Sequence, residues 1–531
     1  MGTICVDVLR ASARAFRDHE AVWFRGQSLT FGQLLERSFR LANALRSLGL
    51  RPQDRVGLLA QNGLYSVEEV TGLAAGGFVR VPLHARNTPH QHRYMLEHVG
   101  ARALIVAQDL YEPLAPFLPD IAGLEHVIVH GDDGPLRYHD LVDGGSDADP
   151  GVALGADDLS HIAFTSGTTG RPKAAVHTHG GLMGVTAQYT LTLPRFDDTD
   201  RYLAVAPLSH AASTLQYTAI AAGATTVVEP ALKLDSLVST LSQRPATFTM
   251  MVPTMIQSLL EWLDAGNEGL RAGLQPLRAL VSTGAPLAPD LAVRVREHLG
   301  EVLHNSYGQV EGVPAAMMTP RDFTRAIAED RQRLQSVGRS GILVRCRIVD
   351  DDGRELPPHE HGEIAIDTPG NLARYWDAPE ATAAKFDSDG FVLTQDIGYL
   401  DDDGYLYVVG RKDDMIISGG FNIWPAEIEE AIAQHPDVVE VVVVGVPHPR
   451  WGETPWAAVV VSEGSTLTAE EIVDWCRERI GSMKKPTRVE VRTGLLPRSA
   501  VGKIPRRMVR DELLASAPQA ERSAASASPT S

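Results

Sequence analysis

A run of small and hydroxylated residues that ends in a lysine is the most distinctive feature of the sequence. It reads Thr165-Ser166-Gly167-Thr168-Thr169-Gly170-Arg171-Pro172-Lys173 and follows the apolar stretch 161–165. Small residues leave backbone N–H groups accessible, hydroxyls add donors, and the lysine adds positive charge, a combination that holds phosphate oxygens. The run lacks the GK[ST] of a Walker A loop. It therefore predicts a phosphate-binding loop of another kind, with a flexible surface turn as the alternative.

Four further motifs follow in order along the chain. They are Tyr307-Gly308-Gln309-Val310-Glu311, Thr394-Gln395-Asp396, the group Gly410-Arg411-Lys412-Asp413 with Gly419-Gly420 and Pro425-Ala426-Glu427, and Pro497-Arg498-Ser499-Ala500-Val501-Gly502-Lys503-Ile504. Together with the loop they resemble the motifs of the adenylate-forming superfamily: acyl-CoA synthetases, aryl-CoA ligases, luciferases and peptide-synthetase adenylation domains. The resemblance covers nearly the whole chain and implies an AMP-dependent acid:CoA ligase.

The resemblance implies the cofactors, ATP and Mg²⁺, and the residues that hold them. A carboxylate must attack the α-phosphate while pyrophosphate leaves, so two anions meet and cationic groups are needed. Glu311 would ligate Mg²⁺, a hard cation that prefers oxygen ligands, and Lys503 would bridge the carboxylate and the α-phosphate. Asp396, assisted by Arg411, would hold the ribose. The other implied nucleotide-binding residues are Thr165, Ser166, Gly167, Thr168, Thr169, Gly170, Lys173, Gly284, Ala285, Pro286, Asn305, Ser306, Tyr307, Gly308 and Val310.

The same resemblance implies a mobile C-terminal domain and a route for CoA, the co-substrate. Asp413 matches the pivot about which the small domain rotates between two half-reactions. Gly419 and Gly420 would line a tunnel for the pantetheine thiol, since glycine permits close approach of the backbone.

An acid-binding pocket is expected around Pro207-Leu208-Ser209-His210-Ala211-Ala212-Ser213, which resembles the family's pocket segment. His210 would stand near the carboxylate. Other predicted pocket residues are Ser213, Val252, Thr254 and Val313.

Three positions depart from the family pattern. Val310 replaces a threonine, Gln395 replaces a glycine, and Ser209 with Ser213 makes the pocket entrance more polar than usual. None of these changes removes a charged group. They bear on the identity of the substrate more than on the nucleotide chemistry.

The sequence thus predicts an enzyme that converts a fatty or aromatic carboxylic acid into its CoA thioester through an acyl-AMP intermediate. The alternatives are adenylation followed by transfer to an amine or another acceptor, including nitrite activation that diazotises an arylamine. A non-catalytic nucleotide-binding module is disfavoured, because the charged residues of the motifs are all present.

Helical and strand patterns alternate over the first 400 residues. Thr30 and Gln33 form a capping-box pair that opens a helix ended by Gly49. The predicted strands, mostly apolar throughout and therefore covered on both faces, are 56–60, 103–107, 126–130, 161–165, 202–206, 225–229, 246–252 and 277–282.

An α/β fold follows from these patterns. It comprises a large N-terminal domain of helix-layered sheets with a small antiparallel unit (1–411), a small α+β domain (412–515) and a disordered tail (516–531). The resemblance implies that the large domain binds AMP and that the small domain is mobile.

The composition argues against a nucleic-acid partner and against a membrane-spanning segment. The 531 residues carry 49 Lys and Arg against 67 Asp and Glu, a net charge of −18, which argues against a nucleic-acid partner. Three cysteines without a CxxC favour a reducing compartment, and no apolar run is long enough to span a membrane. We expect a cytoplasmic enzyme whose partners are an acid, ATP and CoA, and leave a homodimer open.

Overall fold

The structure is a computed structural model and describes residues 4–165, 172–498 and 504–518. The chain divides into two compact units. The first comprises Met1–Arg347, Ala365–Thr394 and Asp401–Tyr407, and the second comprises Ile348–Ile364, Gln395–Leu400 and Val408–Ser531.

Strands are numbered in chain order. They are β1 (Glu20–Phe24), β2 (Gln27–Thr30), β3 (Arg55–Leu59), β4 (Val79–Pro82), β5 (Ala103–Ala107), β6 (His126–His130), β7 (Leu136–Arg137), β8 (Leu159–Thr165), β9 (Lys173–Thr178), β10 (Arg201–Ala204), β11 (Thr225–Val228), β12 (Phe248–Met251), β13 (Ala279–Thr283), β14 (Leu303–Gln309), β15 (Gly312–Met318), β16 (Arg345–Val349), β17 (Gly362–Asp367), β18 (Arg374–Tyr375), β19 (Val392–Leu400), β20 (Leu406–Arg411), β21 (Ile416–Ser418), β22 (Phe421–Ile423), β23 (Val438–His448), β24 (Gly452–Val461) and β25 (Arg488–Arg492).

Helices are numbered in the same way. They are α1 (Cys5–Ala15), α2 (Phe31–Ser47), α3 (Ser66–Ala75), α4 (Pro89–Val99), α5 (Gln108–Leu114), α6 (Tyr138–Asp143), α7 (His179–Thr192), α8 (Gln216–Ala222), α9 (Leu234–Gln243), α10 (Pro253–Asp264), α11 (Glu268–Leu274), α12 (Pro289–Leu299), α13 (Pro320–Glu329), α14 (Pro379–Ala383), α15 (Pro425–Ala433), α16 (Ala469–Ile480) and α17 (Arg506–Ser516).

The first unit contains two eight-stranded sheets, ordered β15-β14-β13-β12-β10-β11-β1-β2 and β18-β9-β8-β4-β3-β5-β6-β7. In each sheet the interior strands run parallel. Antiparallel pairs lie at the ends: β14 with β15 and β1 with β2 in the first sheet, and β9 with both β8 and β18 in the second. The β14–β15 and β8–β9 pairs carry the loops with the predicted chemistry.

The predicted α/β class is confirmed, and each of the eight predicted strands coincides with an observed one to within a few residues. The central strands β4, β11, β12 and β13 are buried along their full length, as expected for strands covered on both faces. The predicted capping box is present as well. Thr30 accepts a hydrogen bond from the Gln33 backbone, and α2 ends shortly before Gly49, whose φ is +93°.

A third sheet has the order β16-β17-β19-β20. Its strands are shared between the residue ranges of the two units, and 348–364 and 395–400 fall in the second unit. The domain boundary at residue 411 stays a prediction. The second unit also holds a sheet ordered β22-β21-β24-β23, with β25 beside β24. Helix α17 continues to Ser516, which overlaps the start of the predicted tail, and 519–531 lie outside the described residues. No helix within the described ranges is long and apolar enough to cross a membrane.

Candidate functional site

Four neighbouring strands of the first sheet deliver most of the predicted nucleotide and pocket residues. Strands β10, β12, β13 and β14 lie side by side and run parallel. Residues at the carboxyl ends of parallel strands meet at one edge of the sheet, where ligands of α/β proteins bind. At these ends lie His210 after β10, Val252 and Thr254 after β12, Gly284, Ala285 and Pro286 after β13, and Asn305, Ser306, Tyr307 and Gly308 within β14.

Close approaches connect two pairs of these residues. Gly284 has φ +86°, and a Cβ placed on it would lie 3.5 Å from Cγ1 of Val252. A Cβ on Gly308 would lie 2.9 Å from Cγ2 of Val313, closer than ordinary packing allows. Glycine is therefore required at 284 by its backbone conformation and at 308 by crowding. By contrast, Thr254 is exposed at the start of α10.

Hydrogen bonds fix the end of β14, which carries several of the predicted nucleotide-binding residues. The Ser306 hydroxyl lies 2.8 Å from the Tyr189 hydroxyl on α7, and the Thr283 hydroxyl donates to the Ser306 carbonyl at 3.1 Å. Asn305 and Ser306 are buried, whereas Ala285 and Pro286 are exposed. The exposed dipeptide follows β13, the strand that pairs with β14.

Glu311 lies in the turn between β14 and β15, where β18 of the other sheet and the segment just before it approach it. The Tyr375 hydroxyl on β18 donates to Glu311 Oε1 at 2.8 Å, and the Leu372 backbone N–H donates to the Glu311 carbonyl at 2.9 Å. The Lys173 ammonium lies 5.3 Å from the centre of the Tyr375 ring. Thr165 and Lys173 face each other across β8 and β9 and so close the base of the predicted phosphate loop.

This donor set fits Mg²⁺ bound together with a nucleotide. Among the described residues no cluster of three or more His, Cys, Asp or Glu side chains could hold a metal by itself. Mg²⁺ commonly uses one or two carboxylates together with waters and substrate phosphates. Glu311, fixed at one carboxylate oxygen, would supply such a protein ligand, and Lys173 would offset phosphate charge nearby.

The predicted pocket residue His210 packs against another histidine. The His84 ring stands edge-on to the His210 ring, with centres 4.8 Å apart and planes at 84°. His84 Nδ1 accepts the Arg86 backbone N–H at 3.1 Å, which leaves the ring proton of neutral His84 on Nε2. The Ser213 hydroxyl donates to the His210 carbonyl at 2.8 Å. The serine at this position therefore stabilises the turn that carries His210.

A buried asparagine holds the segment before His210 in place. The Asn62 amide donates to the carbonyls of Ala204, Ala206 and Glu229 at 2.8–3.2 Å, and its oxygen accepts the Leu208 N–H at 2.8 Å. One side chain thus satisfies four backbone groups where β10 and β11 end.

Buried histidines make the protein sensitive to acid. Burial lowers the pKa of His84 to about 4, with help from the nearby Arg86 charge, and burial lowers that of His304 to about 4. The unfolded chain binds these protons near pH 6.5 and the folded chain does not. The free energy of unfolding should therefore fall between about pH 6.5 and pH 4, by up to about 3 kcal/mol for each residue.

Urea unfolding across that pH range would measure this loss. His304→Gln, which cannot take up the proton, should flatten the pH dependence relative to the unmodified protein. Identical pH slopes for the two proteins would contradict the prediction.

In the second unit, Asp396 and Arg411 form an ion pair. Arg411 Nε lies 2.8 Å from Asp396 Oδ1, and Asp396 is buried. Gln395, which replaces a glycine of the family motif, has φ +62°, a conformation that favours glycine. Its backbone N–H donates to Glu363 Oε1 at 2.9 Å. The side chain has changed, but the left-handed backbone that a glycine would adopt is retained.

The predicted pivot, Asp413, is exposed between two ion-paired neighbours. Lys412 lies 2.8 Å from Asp351 and 3.4 Å from Glu363, and Arg506 Nε lies 3.2 Å from an Asp414 oxygen. The side chains on both sides of Asp413 are thus held within the second unit.

Gly419 and Gly420 form the two-residue turn between β21 and β22. Both have positive φ, at +58° and +83°, which is the conformation of a type I′ hairpin turn. This geometry explains both glycines without reference to a ligand. Whether they also line a CoA tunnel stays a prediction.

Comparison with known proteins identifies the family of this chain. Residues 9–376 match the family model described as AMP-binding enzyme, and 427–503 match AMP-binding enzyme C-terminal domain. The chain belongs to the AMP-binding enzyme family. The adenylate-forming assignment drawn from the motifs is confirmed, and the protein is an enzyme of the AMP-forming ligase type.

Relatives of this AMP-binding enzyme span nearly its full length. It is 35% identical over 486 residues to a feruloyl-CoA synthase of an Amycolatopsis species, covering 91% of this chain and 94% of the relative. It is 33% identical to an indoleacetate–CoA ligase of Aromatoleum aromaticum, with 91% and 93% covered. The amide bond synthetase McbA of Marinactinospora thermotolerans superposes with a TM-score of 0.85 at 27% identity, covering 96% of this chain and 99% of McbA.

Some predicted residues of this AMP-binding enzyme fall outside the described residues: Ser166, Gly167, Thr168, Thr169, Gly170 and Lys503. Their roles stay predictions from the motifs. Sequence reasoning also missed two residues, Tyr375 and Asn62, whose side chains fix Glu311 and the segment before His210. Tyr375 lies 64 positions from Glu311 in sequence, and no local pattern marks either residue.

Proposed function

We propose that this AMP-binding enzyme uses ATP to activate a carboxylic acid as an acyl-adenylate and transfers the acyl group to CoA, releasing AMP and pyrophosphate. The proposal is carried by the position of Glu311, whose carboxylate is fixed by Tyr375 beside Lys173 at the base of the phosphate loop. A Mg²⁺ bound there would neutralise the phosphate charge that separates when pyrophosphate leaves.

An aromatic acid is the substrate class that we favour over a fatty acid. Ferulate and indoleacetate, named for two relatives, are both aromatic acids. Among the predicted pocket residues, Val313 packs against an apolar cluster that includes Tyr189 and Ala212. Such a wall suits the uncharged body of an aryl acid, while His210 would face its carboxylate.

The activated acid can be identified with the purified full-length enzyme. We expect pyrophosphate release with ATP and Mg²⁺ in the presence of an aryl acid such as ferulate, and a CoA thioester detected by mass spectrometry once CoA is added. A panel of aryl acids, fatty acids and nitrite would rank the substrates. Pyrophosphate release with nitrite alone would contradict the proposal.

Transfer to an amine is the second candidate, and the likeness to McbA, an amide bond synthetase, favours it. Both candidates share the adenylation step and differ in the acceptor. Reactions supplied with CoA, with a simple arylamine, or with both distinguish them by the mass of the product. An amide formed without CoA, and no thioester with it, would establish the second candidate.

A further inference from the structure

His84, whose ring packs against His210, comes from the other sheet. It follows the carboxyl end of β4 by two residues, and β4 runs parallel to both β3 and β8. His210 follows β10 of the first sheet, so the contact joins strand ends of two sheets. The crevice outside the carboxyl ends of parallel strands is where α/β proteins bind ligands. His84 therefore lies at an edge of the fold suited to a ligand, although none of the sequence motifs includes it.

Hydrogen bonds to neighbouring residues hold His84 in place. Its Nδ1 accepts the Arg86 backbone N–H at 3.1 Å, and its carbonyl oxygen lies 3.0 Å from Nε2 of His92 on α4. A side chain that accepts the N–H two residues further on forms the turn typical of asparagine, so an asparagine at position 84 would make the same turn. The imidazole is longer than an asparagine side chain, and its ring also reaches His210. The extra length is needed for the contact with His210 and not for the turn.

The second ring nitrogen of His84 has no acceptor among the residues that the structure describes. With Nδ1 accepting, the neutral ring carries its proton on Nε2. The hydrogen bonds that His84 makes within the described ranges use Nδ1 and its carbonyl oxygen, not Nε2. The residue is only 7% exposed, and burial together with the Arg86 charge lowers its pKa to about 4, so the ring is an uncharged donor at neutral pH. A buried N–H without an acceptor is unfavourable, which points to an acceptor supplied by a ligand.

A second polar side chain contacts His210. Ser209 Oγ lies 3.3 Å from His210 Nδ1, and both residues are half-buried, so a ligand can reach them. The predicted pocket residue Val313, by contrast, packs against apolar side chains. A carboxylate is more stable beside hydrogen-bond donors than against an apolar wall. The side that His84 and His210 form is therefore the polar side of the predicted acid pocket.

We propose that His84 is a substrate-binding residue: its Nε2–H donates to a carboxylate oxygen of the acid that lies beside His210. The inference rests on the proposed function in placing the carboxylate there. A hydrogen bond to a charged oxygen is stronger than one between neutral groups. Because this donor binds the carboxylate both before and during its attack on the α-phosphate, its loss should raise the KM of the acid more than it lowers kcat.

Two substitutions remove the donor in different ways. His84→Asn keeps an acceptor for the Arg86 N–H but is too short to reach His210, and His84→Phe keeps a ring against His210 but has no N–H. We expect each variant to raise the KM of the acid in pyrophosphate release by about tenfold, the scale of losing a hydrogen bond to a charged group. The KM of ATP should stay nearly unchanged in both.

The two acid KM values together identify the role of His84. A rise in both variants supports the proposal, because the imidazole N–H is what both lack. A rise in His84→Asn alone would assign the effect to packing against His210, and a rise in His84→Phe alone would assign it to the turn. Either of these results, or no rise at all, would overturn the proposal. Should His84→Phe fail to fold, His84→Met, an apolar side chain of similar length, takes its place.

His126→Leu controls for a general loss of stability. His126 lies on β6, three strands from β4 in the same sheet, and its Nε2 lies 2.9 Å from the Leu48 carbonyl oxygen. Its replacement removes a histidine hydrogen bond far from His210 and should leave the KM of the acid unchanged. A rise equal to that of the His84 variants would overturn the proposal.

A binding measurement separates this inference from the proposed function. Ferulate and octanoate, each titrated calorimetrically into the full-length enzyme with a non-hydrolysable ATP analogue, report carboxylate binding without turnover. We expect an acid that binds the wild type to bind both His84 variants about tenfold more weakly, whichever acceptor takes the acyl group. Equal affinity of the wild type and the variants overturns the inference alone. The expected loss of affinity without any CoA thioester contradicts the proposed function alone, and a wild type that binds neither acid contradicts both.

Discussion

Replacing Lys503 with alanine should slow formation of the acyl-adenylate by about 10²–10³-fold, the scale of losing a donor that stabilises developing charge. The motif resemblance assigns this lysine to the meeting point of two anions, the acid carboxylate and the α-phosphate. Its ammonium would interact more strongly with the transition state than with bound substrates, so kcat should fall more than KM rises. Pyrophosphate exchange dependent on the acid measures this step directly.

The second half-reaction provides an internal comparison for Lys503→Ala. Given chemically prepared acyl-AMP and CoA, the variant should form thioester at close to the normal rate, because the carboxylate is already activated. Lys485→Ala, another lysine of the second unit, should leave both steps unchanged. Unaltered pyrophosphate exchange in Lys503→Ala would refute the assigned role.

The strands and their layering with helices could be predicted from sequence because their information is local. A strand covered on both faces must be apolar throughout, as at 103–107 and 277–282, and the capping box at Thr30 is complete within four residues. Glu311 could likewise be picked out from sequence, because it lies within a short local motif. The contacts that fix Glu311 depend on register instead: Tyr375 reaches it only because β18 pairs with β9. No spacing in the sequence encodes that pairing.

Two departures from the family pattern now have structural interpretations. At Gln395 the φ of +62° shows that the backbone adopts the left-handed conformation that favours glycine, although a side chain is present. At Val310 the hydroxyl of the usual threonine is missing, yet the Leu372 backbone N–H still donates to the carbonyl of the next residue, Glu311, at 2.9 Å. The turn that presents Glu311 can therefore keep its conformation although a donor near the α-phosphate is lost.

A second large effect is expected at the predicted pivot. Asp413→Pro should leave formation of the acyl-adenylate nearly intact and reduce thioester formation by about 10²-fold or more, because proline fixes φ near −65° and restricts the preceding residue. Asp413 itself is exposed, and ion pairs hold the side chains of its neighbours Lys412 and Asp414 within the second unit. Pyrophosphate exchange and thioester formation, measured on the same preparation, separate the two steps.

Asp413→Ala is the matched control for that experiment, since it removes the same side chain and keeps torsional freedom. It should retain both half-reactions at similar rates. With Lys503→Ala, the proline variant forms a reciprocal pair: the lysine change blocks the first step and spares the second, and the proline change does the reverse. That reciprocity is expected only if the small domain takes up two orientations in turn, one for each half-reaction. Equal loss of both steps in Asp413→Pro would show instead that residue 413 supports the fold and is not a pivot.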